Sequence, residues 1–135
     1  MKWACCVAVI GALGCGSDSP FDYIPVTGKV TYEDGSLIQA DQVRLSFDAL
    51  DYEGDLKMRP RPGKTTINAD GTFDNVTSYK YGDGLVPGRH RVGVVPLDKN
   101  GQITNAVPPQ YTSSGKSPLI ITTDELPLHI KVPKP

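Results

Sequence analysis

Val86-Pro87-Gly88-Arg89-His90-Arg91-Val92-Gly93-Val94-Val95 is the stretch whose reading decides the fold. A Pro-Gly turn opens onto a run in which His90, Val92 and Val94 share one face, while Arg89 and Arg91 point the other way. That two-residue period belongs to a half-buried strand. No stretch of the mature chain shows apolar spacing at three and four residues, and turn signals recur too often for a helix.

The same alternation recurs on both sides. Val26, Gly28, Val30 and Tyr32 alternate with Thr27, Lys29 and Thr31, a strand rich in β-branched residues, and Glu33-Asp34-Gly35-Ser36 turns it. Val43, Leu45 and Phe47 form the inward set of the next strand, with Arg44, Ser46 and Asp48 outward. Arg59-Pro60-Arg61-Pro62-Gly63 cannot continue a ladder, because proline donates no backbone hydrogen bond, and it reads as an exposed loop. Thr65 to Ala69 and Thr72-Phe73-Asp74 then flank Asp70-Gly71, a strong hairpin signal, with Phe73 as a core anchor. Beyond the deciding stretch, Pro96 to Pro118 forms a long connection for which Val107 and Tyr111 are the expected tethers. Leu119 to Thr122 and Leu126 to Val132 complete the set, the latter with Leu128, Ile130 and Val132 facing one way and His129 and Lys131 the other. About seven short strands and no helix predict an all-β fold, a seven-stranded antiparallel Greek-key sandwich.

Composition agrees with one β domain and excludes several functions. The chain has 135 residues, enough to bury a single core without metal or disulfides. Fourteen basic residues face fifteen acidic ones, so no basic stripe points to nucleic acid and no acidic block to a solvating tail. Gly and Pro, 14 and 12 residues, are spread between short apolar runs rather than gathered in one tract, which favours turns over disorder.

All three cysteines lie within the first fifteen residues. Met1-Lys2 is a basic start, Trp3 to Leu13 is apolar, and Gly14-Cys15-Gly16-Ser17 follows. The apolar run is too short for a mature membrane span and suits a secretory signal. Gly11-Ala12-Leu13-Gly14-Cys15 resembles a bacterial lipobox, with Ala12 where that pattern more often has Leu. The resemblance implies a thioether lipid on Cys15, cleavage before it and acylation of the new amino terminus. Ordinary secretory cleavage elsewhere, or an uncleaved anchor, are the alternatives. Cleavage before Cys15 would leave one thiol and no internal disulfide, and lipidation removes that exposed thiol. The expected organisation is a signal peptide over 1–14, a lipidated cysteine and tether over 15–23, and a β-sandwich domain over 24–135.

An ordered series of motifs extends across the mature chain. It runs from Val26-Thr27-Gly28-Lys29-Val30-Thr31-Tyr32-Glu33-Asp34-Gly35 through Asn68-Ala69-Asp70-Gly71-Thr72-Phe73 to Val86-Pro87-Gly88-Arg89-His90-Arg91-Val92. Val107-Pro108-Pro109-Gln110-Tyr111 and Ser117-Pro118-Leu119 close it. The series resembles the small planctomycete lipoproteins that carry a carboxypeptidase regulatory-like domain. The resemblance implies a transthyretin-like (prealbumin-like) sandwich and no peptidase activity, since the regulatory-like domain is the non-catalytic module beside a peptidase.

The chemistry-bearing residues fit plainer roles. Asn68, Asp70 and Asp74 have the spacing of a calcium loop, but the closing glutamate is missing and Tyr79 stands in its place. Asp51, Glu53 and Asp55 read as a solvated acidic loop. His90 reads as a packing residue with one hydrogen bond and His129 as solvated; a zinc site needs three or four ligands, and the mature chain offers no cysteine pair to complete one. Serines and threonines occur without a Gly-x-Ser-x-Gly elbow, so no catalytic residue is assigned and the protein is expected not to be an enzyme. An isopeptide bond from Lys29 is excluded, because Lys29 is on the outward phase and the last strand has no Asn. Tyr52, Tyr79, Tyr81 and Tyr111 are loop aromatics that a sugar platform would use, although Tyr111 is expected to pin its own loop.

The resulting expectation is an exported, membrane-anchored cell-envelope protein (periplasmic or outer-membrane face), non-enzymatic and without cofactor or metal. It acts as a structural or protein-interaction module through the loops around 51–63 and 98–117; the alternative is a carbohydrate- or small-ligand-binding accessory lipoprotein. Its partners are the membrane, through Cys15, and an envelope protein or glycan.

Overall fold

A computed structural model describes residues 21–51 and 59–135. The signal segment, Cys15, Tyr52, Glu53 and Asp55 lie outside the described residues. Seven strands follow in order: β1 (Gly28–Tyr32), β2 (Gln42–Ala49), β3 (Gly63–Thr66), β4 (Thr72–Phe73), β5 (Arg89–Leu97), β6 (Ile120–Thr122) and β7 (Leu128–Val132). Among the described residues one 3-10 turn, Pro109–Tyr111, is the helical content.

The strands form two sheets, β4-β1-β7 and β3-β2-β5-β6, stacked as an open sandwich. The deciding stretch becomes β5, a central strand paired along its length with β2. His90, Val92 and Val94 are buried, as the alternation requires. From the other sheet come Val30, Phe73, Ile130 and Val132, also buried. Burial of each such side chain contributes about 1.5–3 kcal/mol, and this apolar layer is what holds the two sheets face to face.

Four details depart from the sequence reading. First, the sandwich is mixed rather than wholly antiparallel: β1 and β7 pair in parallel, with Gly28 opposite Leu128 and Tyr32 opposite Val132. A parallel pair needs a long crossover, and here everything between the first and last strands serves as one. Second, Asp70-Gly71 does turn the chain, with Gly71 at φ +84° and its N–H donating to the Asn68 carbonyl at 2.9 Å. The flanking strands do not pair as a hairpin, however. β3 bonds to β2 and β4 bonds to β1, so the turn passes the chain from one sheet to the other. Third, β5 continues through Pro96 to Leu97. Pro96 is tolerated because β6 flanks β5 only at Arg89 to Arg91, leaving the strand's far end without a full ladder on that side. The Pro-rich segment before β3 also ends earlier and is less exposed than expected, since Pro60 is buried and Gly63 is already a buried strand residue.

The long connection after β5 is tied down. Val107 is fully buried, Tyr111 packs against the core, and the Tyr32 hydroxyl donates to the Ala106 carbonyl at 2.6 Å. Arg91 donates to the Ser117 carbonyl at 2.6 Å, and Ser117 is itself buried. The connection then crosses the outer face of β5 at Gly93, where an added Cβ would stand 2.6 Å from the Ser114 nitrogen. Only glycine permits that approach.

Candidate binding groove

The outer face of the four-stranded sheet carries the candidate site. Register places Arg44 opposite Thr66 on one side and Val95 on the other, and Ser46 opposite Lys64 and Gly93. By alternation these side chains share the face turned away from the core. Arg44, Ser46, Lys64, Thr66 and Val95 floor an open groove of about 930 Å³, while Gly93 lies under the connection at Ser114.

Two loops wall it. On the β3 side, Thr77 and Lys64 exchange backbone hydrogen bonds of 2.9 Å, which docks the segment after β4 along the sheet edge. That segment is fixed by one carboxylate: Asp83 accepts the N–H groups of Ser78, Tyr79 and Lys80 at 2.8, 3.0 and 2.8 Å. Gly82 donates its N–H to the Thr77 hydroxyl at 2.9 Å. The loop therefore holds its shape through its own bonds and projects Tyr81, whose surface is 83 % exposed. On the β5 side, Asp98 accepts the N–H groups of Asn100 and Gln102 at 2.8 and 3.0 Å, closing a tight turn. Ile103 leaves that turn beside Leu97 with 63 % exposure. Among the described residues Tyr81 and Ile103 are the two most exposed large apolar side chains, and both line this groove.

Charge in the groove is asymmetric. Arg44 and Lys64 make no ion pair or side-chain hydrogen bond among the described residues. The lining contains one carboxylate, Asp74, against these two cations. Asn68 and Asn75 add amide donors and acceptors.

The residues singled out by sequence fall in several places. Tyr81 is in the groove, and Tyr79 lies half-buried beneath the Arg61 guanidinium, 4.7 Å from the ring centroid. Tyr111 packs inward, as expected of a loop tether. Asp51 is held by Arg89 in a two-point ion pair with both contacts at 2.9 Å, and it also accepts the Arg89 N–H at 3.1 Å. Those hydrogen bonds bring its carboxyl down to about 2. Asp70 accepts the Thr72 N–H and hydroxyl, which lowers its pKa, so this carboxylate caps its own turn. No group of three or more His, Cys, Asp or Glu side chains converges in a metal-holding arrangement among the described residues. Lys29 is exposed on the outer face of β1, opposite His129 of β7. His90 is buried; its Nε2–H donates to the Val86 carbonyl at 2.8 Å, and its Nδ1 has no partner among the described residues.

The sequence reading missed Arg44, Lys64 and Ile103. Alternation marked Arg44 as outward, but only the β2–β3 register brings it beside Lys64. Comparison with known protein families, with curated proteins and with solved structures finds no match.

Proposed function

We propose that the protein is a non-enzymatic binding module displayed on a bacterial cell envelope by a lipid at Cys15, with the groove on its outer sheet as the working surface. The observation that carries this reading is the placement of Tyr81 and Ile103. The two most exposed large apolar side chains among the described residues stand on one groove with two unpaired cations on its floor. Isolated exposed apolar residues need no explanation, whereas two around one concavity suit a ligand. This favours ligand capture over a purely structural role.

The anchoring half of the proposal draws its support from the lipobox-like Gly11 to Cys15 and from the resemblance to regulatory-like lipoproteins. Acyl chains contribute about 0.8 kcal/mol per buried CH₂, so two or three chains would hold the domain stably at a membrane. The short segment from Gly16 to Tyr23 would then keep the sandwich close to that surface.

Fractionation of cells expressing the Cys15→Ser chain tests the anchor. The proposal expects the protein to leave the membrane fraction for the soluble exported fraction. Retention equal to that of the unaltered chain would contradict it.

A further inference from the structure

We propose that the groove takes an acidic glycan, a chain of pyranose sugars bearing carboxylates; this rests on the binding-module reading and names its ligand class. Arg44 and Lys64 are diagonal neighbours on adjacent strands, at a spacing of roughly 7–8 Å for such positions. Like charges so placed repel each other unless an anion lies between or across them. Among the described residues Arg89 and Lys134 each hold a carboxylate, Asp51 and Asp34 respectively, whereas Lys80, Lys99, Lys116 and Lys131 hold none; what sets Arg44 and Lys64 apart is that they line one groove together. Arg44 and Lys64 have none among the described residues, and a ligand carboxylate would supply one. Guanidinium binds carboxylate through two parallel hydrogen bonds, which fixes orientation as well as charge.

Sugar is favoured over peptide for three reasons. Tyr81 offers an exposed aromatic face to the C–H face of a pyranose ring, with Ile103 as a second apolar contact on the groove. Asn68 and Asn75 can each both donate to and accept from ring hydroxyls. An extended peptide would bind most readily by adding to a sheet edge, yet the β3 edge beside the groove is already engaged by Thr77. The volume, about 930 Å³, lies in the range of about 300–1,000 Å³ usual for small-ligand sites and gives room for more than one sugar ring. Because Asp83 already fixes the Tyr81 loop, binding orders little additional chain.

Calorimetric titration of the full chain in a non-ionic detergent tests the assignment, with tetragalacturonate as the acidic glycan. Cellotetraose serves as the neutral sugar and hexaglutamate as the acidic peptide. The expected result is saturable binding of tetragalacturonate, weakened about tenfold by Arg44→Gln, by Lys64→Gln and by Tyr81→Ala, and about tenfold by methyl esterification of the ligand. All three substitutions are at the surface, and unchanged melting temperatures would show that the fold is intact. Absence of saturable tetragalacturonate binding, or binding unaffected by these substitutions, would overturn the assignment. Equal or tighter binding of cellotetraose or hexaglutamate, lost on Tyr81→Ala, would also overturn the ligand class while leaving the binding-module reading standing. The Cys15→Ser fractionation reads the anchor independently of all these outcomes.

Discussion

Phe47 and Phe73, one from each sheet, meet across the sandwich with ring centroids 6.1 Å apart and planes inclined at 49°. Both rings are fully buried, and their inclined planes avoid the disfavoured face-to-face sandwich. β4 contributes only two residues, so Phe73 is its main hold on the core. Phe73→Ala should cost about 3–5 kcal/mol in urea unfolding, a large share of the roughly 5–15 kcal/mol typical of a domain. A loss within about 0.5 kcal/mol, the range of ordinary surface changes, would show that this ring is not an anchor.

Gly93→Val should act differently, through overpacking. The new side chain would meet the Ser114 backbone and push the 113–117 segment off the outer face of β5. About 1–3 kcal/mol of destabilisation is expected, together with faster proteolysis in that connection while the sheets remain folded. Unchanged cleavage kinetics would mean that the connection is held by its other contacts alone.

His90 makes stability depend on pH. Burial lowers its pKa in the folded state from the usual 6.5, and this outweighs the opposing effects of the Val86 carbonyl and of Asp51 and Asp48. Nε2–H is committed to Val86, so an added proton would place an unpartnered N–H at buried Nδ1. Below pH 6.5 the unfolded chain takes up a proton that the folded chain refuses. The histidine contribution is therefore complete above that pH and declines as pH falls from 6.5 towards the lower folded value. Urea titrations between about pH 8 and 5 should show this decline in the unaltered protein and its loss in His90→Phe. Parallel curves for the two proteins would contradict the assignment.

How far the sequence could be read depends on which forces act locally. Alternation alone was enough to orient His90, Val92 and Val94, because a strand presents its residues to opposite faces whatever its neighbours are. Phe73 was legible for the same reason. Asp70-Gly71 was legible as a turn but not as a sheet change. The Gly71 conformation is local, whereas the choice between pairing β4 with β3 or with β1 is made by long-range packing. The parallel β1–β7 pair was hidden for that reason too. At the groove, Tyr81 stood out as a loop aromatic, while the Arg44–Lys64 neighbourhood exists only through a register between strands that the sequence does not state.

Backbone amide mapping of the isotopically labelled full chain, titrated with tetragalacturonate in non-ionic detergent, tests the central claim most directly. The account predicts shifts confined to the outer face of β2 and β3, the Tyr81 loop and the turn at Ile103. Shifts gathered instead on the β4-β1-β7 sheet, or no shifts at saturating sugar, would contradict it.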